Sequence, residues 1–459
     1  MFFLVPSNET LSLADRLPDL GASWASGSTL RKDPTRPSIL PLASFSESDW
    51  RPLQHVLVHA LARHPMRRAS ASEANYCIVA APTQHGLYPT GHSERVGAGV
   101  AAAARGGCGS VGTRWRAWTE LCPGKPLLVV DTVDADYRGF RLCNTLWDRS
   151  RCLNEQSTAL LRLVGSPPLT THPGEPSWKQ RSLLAPCPAL SVPWLSHARA
   201  PIALPPPHAR TVRIAGAYST FQHGMAIKLG WADWRRDLRN SCHGLGNTSR
   251  CTHLYQSMSG KNARSAIELY ARSVFCLQPP GDVVARGAMV DALSVGCIPV
   301  FFHPAQAALW PLHWSGARAS VTFDWTDPHV RNATVATVGR ERIGRAAADV
   351  ALRHLLELSD AEVARLQRAV ARAAPRMYYR VRPDTNHWRG LRGTSGAVTT
   401  PLTPSRPLTP PDAVDVLVAG LGRQLYSRRH SGNLSWPTVL SRLRPEARNS
   451  MPSYSLLDE

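Results

Sequence analysis

The sequence lacks any long apolar run and is short of acidic residues. No stretch approaches the about 20 consecutive apolar residues that a membrane-spanning helix needs. The 33 Asp and Glu residues are outnumbered by 53 Lys and Arg residues, which gives a net charge of +20. Zinc-finger spacing, an RNA-recognition signature and heptad repeats are also missing, which argues against a nucleic-acid ligand. A phosphate-bearing ligand, an acidic glycan or an anionic membrane surface would each suit the basic excess, and a codon usage rich in Arg and Ala would produce it with no function attached.

Cysteine is plentiful, with ten residues, as is common in proteins that fold in an oxidising compartment. Cys242 and Cys251 enclose eight residues. They are expected to form a disulfide, to remain unpaired structural thiols, or to bind zinc together with two neighbouring histidines, although this spacing fits no standard zinc finger. Cys276 and Cys297 lie in predicted core strands and are expected to pack as small hydrophobic side chains.

Four Asn-x-Ser/Thr sequons are present, and they accept a glycan only if the chain enters the secretory pathway. They begin at Asn8, Asn247, Asn332 and Asn433.

Residues 273–302 contain the pattern that is most informative about function. Ser273–Leu277 is apolar and predicts a buried strand, Gln278–Val284 predicts a turn, and Ala285–Val295 has the length of a helix. Gly296 stands where a helix would end in the left-handed conformation, and Cys297–Phe302 predicts a second strand. This βαβ unit places its loop at a helix amino terminus, where free N–H groups and the helix dipole favour a phosphate.

Three residues of this segment are candidates for ligand contacts. Arg286 is predicted in the first helical turn, where its guanidinium can donate two hydrogen bonds to a diphosphate. Gly281 lies in the loop itself. Asp282 is expected to cap the helix, to bind a sugar, or to do both.

The order of these residues resembles the exostosin-like glycosyltransferase family, and within it the plant xyloglucan galactosyltransferase branch. The resemblance rests on Phe-Cys-Leu-Gln-Pro-Pro-Gly-Asp at 275–282, on Arg286 and Asp291, and on Gly-Cys-Ile-Pro-Val-Phe-Phe-His-Pro at 296–304. Weaker matches extend it over about residues 45–382.

The resemblance implies an α/β fold of the GT-B type, with two Rossmann-like domains facing each other across a cleft. It implies transfer of a hexose, with galactose as the first candidate, from a UDP-sugar to a polysaccharide or glycoprotein glycan with inversion at the anomeric centre. Val212–Ala217 resembles the strand and glycine turn, with Gly216, that opens the family's donor domain, and Arg235 matches a recurrent Arg there. Asp291 would bind the ribose, and His303 would lie at the rim of the site.

The first half of the chain matches less well. The family carries Gly-Arg-Asp-His before a strand, but here Gly124, Lys125, Pro126 and Leu127 occupy those positions. After that strand, Asp136 is the candidate catalytic base. Because it ends an Asp-rich segment, a structural role or a divalent-metal site is also consistent with the pattern.

We therefore expect an N-terminal leader or linker at 1–39, an acceptor-side domain at 40–205, a donor domain at 206–382 and a partly disordered tail at 383–459 with a short helix at Ala413–Leu425. No cofactor or resident metal is firmly implied, and a need for a divalent cation stays open. The expected partners are a nucleotide sugar, a glycan acceptor, a Golgi membrane or lumen and possible subunits of a transferase complex, but no nucleic acid. The alternative is a non-catalytic glycan-binding protein of the same family.

Overall fold

The computed structural model of the protein describes the helices, strands and turns of two α/β regions. The described residues are 1–4, 51–62, 64, 66–80, 120–123, 125, 127–130, 160–164, 189–194, 196, 207–220, 231–255, 263–281, 284–325, 343–379 and 411–429.

The first region is a parallel five-stranded sheet in the order β1-β2-β3-β4-β5. Helix α1 spans Arg51–Ala62. The strands are β1 Phe2–Leu4, β2 Tyr76–Ala80, β3 Leu127–Val130, β4 Leu160–Val164 and β5 Ala189–Ser191. Strand β1 corrects the predicted leader or linker at 1–39 for its first residues alone: Phe2 pairs with Tyr76 and is fully buried. Residues 5–39 lie outside the described residues.

The second region is also a parallel five-stranded sheet, but in the order β10-β9-β8-β6-β7. Its strands are β6 Val212–Tyr218, β7 Cys251–Tyr255, β8 Ser273–Gln278, β9 Ile298–Phe301 and β10 Val321–Thr322. Its helices are α2 Trp231–Gly244, α3 Ala263–Ala271, α4 Gly287–Ser294, α5 Pro304–Ala307, α6 Gly316–Ala319, α7 Ile343–Glu357 and α8 Asp360–Ala373.

Helices cover both faces of this second sheet, as parallel strands require. Leu238 of α2 and Leu352 of α7 join the apolar core on one face. Ile267 and Tyr270 of α3 pack on the other face. Strand β8 lies between β6 and β9, and all six of its residues are buried, which explains its continuous apolar sequence. The predicted α/β class with two Rossmann-like parallel sheets is confirmed.

The helix α9, Ala413–Arg429, joins the apolar core of the first region, and its start also contacts the second region, where His313 donates to the Ala413 carbonyl. Val414, Leu417 and Leu421 join the core formed by α1 and its sheet. His64 lies 3.0 Å from the Asp415 carboxylate and fixes the start of α9 there. The helix predicted at Ala413–Leu425 is thus confirmed and is four residues longer at its end. The rest of the predicted tail lies outside the described residues.

Buried hydrogen bonds join the two regions. The Trp310 backbone N–H donates to Ser191 Oγ at 2.8 Å, and the Tyr379 hydroxyl donates to the Pro193 carbonyl at 2.7 Å. The Ala413 N–H donates to the Tyr378 carbonyl at 2.7 Å, where the chain returns to the first sheet. Among the described helices, none has both the length and the apolar character needed to span a membrane.

Three disulfides occur among the described residues: Cys77–Cys122, Cys242–Cys251 and Cys276–Cys297. The second confirms one of the alternatives drawn from sequence. The third corrects the expectation that Cys276 and Cys297 pack as separate small side chains: both are buried, and they come together because β8 and the segment entering β9 are neighbours in the sheet.

Candidate functional site

The loop between β8 and α4 lies at the carboxyl edge of the second sheet, at the point where the strand order reverses. From β6 the chain continues to β7 on one side of the sheet and then crosses to β8 on the other. Such a reversal opens a crevice beyond the carboxyl ends of the two diverging strands, and ligands of open α/β sheets bind there. The segments after β6 and after β8 therefore meet at the position expected for a ligand.

Helix α4 begins at Gly287, two residues later than predicted. Arg286 is its N-cap residue and is extended, with φ −143° and ψ 142°, so its side chain leaves from the loop rather than from the first helical turn. At the other end Gly296 has φ 73°, as predicted, and the Cys297 N–H donates to the Ala292 carbonyl at 2.9 Å. That pairing satisfies carbonyls that a helix end leaves free.

Two arginines from different elements converge on this loop. Arg286 Nη1 donates to the Pro279 carbonyl at 3.0 Å. Arg235, on α2, donates from Nε to the Pro280 carbonyl at 2.9 Å and from Nη1 to the Ser219 carbonyl at 3.3 Å. The structure therefore brings together two residues that are 51 positions apart in the sequence.

Gly281 leaves room for these guanidinium groups. A Cβ atom at Gly281 would lie 3.0 Å from Arg235 Nη2 and 3.7 Å from the Arg286 side chain. The contact with Arg235 would be tight, whereas 3.7 Å is an ordinary contact, so glycine serves the close approach of the loop to Arg235 and not a left-handed backbone.

The charge of Arg286 has no carboxylate partner within the described part of the chain. Burial lowers the pKa of Arg286, while the nearby phenols of Tyr270 and Tyr218 oppose that shift. A guanidinium nevertheless stays protonated at neutral pH. A half-buried cation without a counter-ion favours an anionic ligand, and the second guanidinium beside it favours a diphosphate.

Tyr218 is the buried polar group behind the arginines. It is fully buried, and among the described residues its hydroxyl has no hydrogen-bond partner. Burial, with Tyr270 nearby, raises the pKa of Tyr218, and Arg235, Arg286 and Arg239 oppose that rise in this order. The phenol therefore keeps its proton and remains a buried donor near the arginines.

Gly216 lies in the middle of β6, which corrects the prediction of a glycine turn there. A Cβ atom at Gly216 would lie 2.8 Å from the Tyr218 ring and 3.1 Å from the His253 ring. The two rings meet edge to face, with centroids 4.6 Å apart. The absence of a side chain at Gly216 thus leaves room for both rings, and its contact with the donor stays a prediction.

Gln306 joins the two ends of the loop from below, and no sequence pattern indicated it. It is fully buried, and its Nε2 donates to the Gln278 carbonyl at 2.9 Å and to the Val284 carbonyl at 3.2 Å. Its Oε1 accepts from the Phe302 N–H at 3.1 Å. One side chain therefore joins both ends of the loop, a contact between distant segments that no local pattern signals.

Asp291 and His303 lie deeper than the arginines. Asp291 is 5% exposed and accepts a hydrogen bond from Ser196 Oγ at 2.8 Å. His303 is 1% exposed, and its Nδ1 accepts from the Ala305 N–H at 3.1 Å, where it caps the short helix α5. Their contacts with ribose and with the rim of the site stay predictions.

Two of the predicted site residues, Asp136 and Asp282, lie outside the described residues. Within the part of the chain that is described, no group of three metal-ligating side chains occurs. A cavity of about 340 Å³ lies between β7 and α3 and is lined by residues that include His253, Glu268 and Arg272.

Part of the chain matches one family model, and shorter stretches of it are similar to known proteins. Residues 192–335 match the Exostosin GT47 domain. A probable xyloglucan galactosyltransferase of Arabidopsis thaliana is 47% identical over 53 residues, 12% of this chain and 10% of the relative. A xyloglucan-specific galacturonosyltransferase of the same plant is 36% identical over 104 residues, 22% of this chain and 16% of the relative.

A further probable xyloglucan galactosyltransferase of Arabidopsis thaliana is 28% identical over 212 residues. This match covers 45% of the chain and 37% of the relative, so the similarity spans much less than the whole of either protein. Among solved structures, a GtfA/B complex aligns with 74% of this chain and 60% of its own, at a TM-score of 0.32 and 12% identity. At that score the assignment of the fold rests on the two sheets themselves.

Proposed function

We propose that the protein is a glycosyltransferase that takes a hexose from a nucleoside diphosphate sugar, and the match of residues 192–335 to the Exostosin GT47 domain supports this proposal. The observation that carries this proposal is the pair of guanidinium groups on the loop after β8. Arg286 and Arg235 contact the adjacent carbonyls of Pro279 and Pro280. Two cations beside a helix amino terminus suit the two phosphates of such a donor.

The proposed reaction is a single displacement with inversion at the anomeric carbon. A hydroxyl oxygen of the acceptor glycan forms a bond to C1 of the sugar while the bond from C1 to the diphosphate oxygen breaks. The leaving diphosphate keeps the electron pair, and Arg286 and Arg235 stabilise its growing charge. A general base from the first region takes the proton of the acceptor hydroxyl, and we propose Asp136 for that role.

The nucleoside would lie over α4. We propose that Asp291 accepts hydrogen bonds from the ribose, as the resemblance implies, and that Asp282 contacts the donor sugar or caps α4. In the free protein the Asp291 carboxylate is bound to Ser196. Ribose binding would therefore replace or share that hydrogen bond, and His303 would shape the floor of the site from below.

We propose UDP-galactose as the first donor to examine, because galactosyltransferases are frequent among the relatives. One relative is named for galacturonic acid instead, so UDP-galacturonate is the matched second donor. The acceptor would be a cell-wall polysaccharide or a glycoprotein glycan. The guanidinium pair supplies positive charge that a divalent cation supplies in other transferases, and activity with and without a chelator tests whether such a cation is needed as well.

We further propose that the protein works in the Golgi lumen or at its membrane. The three disulfides among the described residues support an oxidising compartment. The alternative function, a non-catalytic glycan-binding or complex-forming protein, is favoured by the Gly-Lys-Pro-Leu sequence at 124–127, where the family carries Gly-Arg-Asp-His.

A donor screen tests the proposal. The purified full chain is incubated with UDP-galactose, UDP-galacturonate and other nucleotide sugars, with and without xyloglucan, and released nucleoside diphosphate is measured. Release that depends on acceptor supports transfer. Tight binding of UDP without release from any donor would favour the non-catalytic alternative, and the absence of both binding and release would overturn the assignment of the site.

A further inference from the structure

We propose that Asn247 is a site of N-linked glycosylation. The inference rests on the lumenal location proposed above and on the turn between α2 and β7. Helix α2 ends at Gly244, and β7 begins at Cys251. Gly246, with φ 64°, turns the chain immediately before the sequon Asn247-Thr248-Ser249.

The sequon is open to solvent and already has an ordered conformation. All three of its residues are exposed. Asn247 Oδ1 accepts from the Ser249 N–H at 2.8 Å and from Ser249 Oγ at 2.7 Å. The carboxamide oxygen therefore points into the turn, and the carboxamide nitrogen is left on the solvent side. That nitrogen is the atom to which a glycan is attached.

The turn is closed by a disulfide between its flanking residues, Cys242 and Cys251. A disulfide forms in the same oxidising compartment in which N-glycans are added. The two modifications are thus consistent with each other within a segment of ten residues.

A glycan at this position would not block the proposed donor site. In a parallel α/β sheet the turn from a helix into the next strand lies at the amino edge, whereas the loops after β6 and β8 lie at the carboxyl edge. Asn247 precedes β7 and so lies at the edge opposite to Gly281 and Arg286.

The modification is a group transfer from a polyprenyl-diphosphate oligosaccharide. Asn247 Nδ2 forms a bond to C1 of the first sugar, the bond from C1 to the lipid diphosphate breaks, and the diphosphate leaves with the electron pair. Nδ2 gives up one proton to a base of the host transferase.

The full chain, placed behind a cleavable signal peptide, is produced in plant cells and purified. Trypsin releases peptide 240–250, and a glycan-removing amidase then removes any glycan in heavy-oxygen water. The peptide is sequenced by mass spectrometry. We expect conversion of Asn247 to heavy-oxygen Asp in most molecules, while Asn240 in the same peptide stays unchanged. An unmodified Asn247 in protein that carries the Cys242–Cys251 disulfide would overturn the proposal.

Three variants separate the sequon from the fold. Asn247→Gln and Ser249→Ala should each remove the glycan, and Thr248→Ala should keep it, because the middle position of a sequon accepts any residue except proline. A glycan that survives Ser249→Ala would contradict the assignment. Donor turnover of Asn247→Gln is measured separately, so a failure of the proposed function and a failure of this inference give different results.

A second inference comes from the surface of α8. We propose that this surface binds a linear acidic glycan, which would place such a glycan among the acceptors or partners of the proposed transferase. Arg365, Arg368 and Arg372 are exposed on one side of α8, and Arg376 continues the row in the turn that follows. The opposite side of the helix is apolar and buried.

The row is positively charged along its whole length. Its spacing of three, four and four residues gives a stripe about 16 Å long. No carboxylate forms an ion pair with these four arginines in the described residues. The other exposed residue between them is Ala371, which offers neither a large apolar side chain for a lipid surface nor an aromatic ring for a nucleic-acid base.

Binding of the full chain to polygalacturonate is compared with binding to neutral xyloglucan and to vesicles of anionic lipid. Replacement of Arg365, Arg368 and Arg372 by Gln should weaken polygalacturonate binding about tenfold. Matched replacements at Arg250, Arg272 and Arg353, which are exposed elsewhere, should change it little.

Equal loss in both triple variants, or binding to vesicles without binding to polygalacturonate, would overturn this second inference. The measurement needs no donor sugar, so it stands apart from the test of glycosyl transfer.

Discussion

Among the strands that the structure describes, both sheets are parallel and five-stranded, but the strand order reverses only in the second. In the described part of the first region, β1 to β5 follow one another in sequence order. In the second, β7 and β8 lie on opposite sides of β6. The arginines meet at this reversal, where the segments after β6 and β8 diverge. A common scaffold thus supports a candidate anion site in one region because of its strand order and a few side chains.

The largest expected effect is the loss of stability on removing a disulfide, and it differs between the two regions. Cys77 and Cys122 are 45 residues apart and Cys276 and Cys297 are 21 apart. Because a longer closed loop restricts the unfolded chain more, replacing the first pair by alanine should lower the free energy of unfolding by about 4 kcal/mol, and replacing the second pair by about 3 kcal/mol. Urea unfolding at pH 7 measures both. The reverse order would show that packing around the sulfurs, and not loop closure, sets the difference.

The next largest expected effect is the loss of UDP affinity when Arg286, beside the second sheet, is replaced. Arg286→Ala should weaken UDP binding about 100-fold, or about 3 kcal/mol, because it removes a half-buried guanidinium from a diphosphate. Arg286→Lys should recover part of the affinity, since it keeps the charge but not the planar pair of donors.

Calorimetry measures the affinity for UDP, and circular dichroism checks that the variants are folded. Arg353→Ala, at an exposed position on α7, is the matched control. Unchanged affinity in Arg286→Ala would remove the main support for the donor site.

The contact between the two regions should depend on pH. His313 donates from Nε2 to the Ala413 carbonyl at 3.0 Å, and its Nδ1 has no partner among the described residues. Burial lowers the pKa of His313 to about 4, with nearby Arg376 adding to that effect. In the unfolded chain a histidine has a pKa near 6.5, so between pH 6.5 and pH 4 the unfolded state binds more protons than the folded state. The free energy of unfolding therefore falls as the pH drops from about 6.5 toward 4.

Because of this histidine, the free energy of unfolding should be about 2 kcal/mol lower at pH 5 than at pH 7.5. Urea unfolding at the two pH values measures the cost. In His313→Gln, which keeps a donor but does not titrate, the dependence should be shallower by that amount. An equal slope in the variant would assign the pH dependence to other groups.

The smallest effect concerns the space beneath the arginines. Gly281→Ala should weaken UDP binding about tenfold, because its Cβ would displace the Arg235 head group, a flexible group that can move at small cost to the fold. Gly422→Ala is the control, since an added Cβ there meets no atom within 4 Å. If both substitutions leave UDP affinity unchanged, Arg235 need not occupy its observed position for binding.

Local patterns predicted the elements around the site well. The strand, loop and helix at 273–302 were found with shifts of one or two residues at their ends, because apolar runs and glycine positions are local signals. The same reasoning missed Gln306, took Gly216 for a turn and separated Cys276 from Cys297. Each of these depends on a neighbour from another strand or helix, which no local pattern specifies.

By itself, the sequence determined that the chain forms a βαβ unit with a phosphate-suited loop, and its motif pointed to the exostosin family. Only the tertiary structure decided that Arg235 and Arg286 lie on one loop, that Phe2 begins a strand, and that α9 returns to the first sheet. The physical reason is that periodicity and capping act over a few residues. Convergence of side chains depends on strand order, which is set by burial of apolar surface over the whole chain.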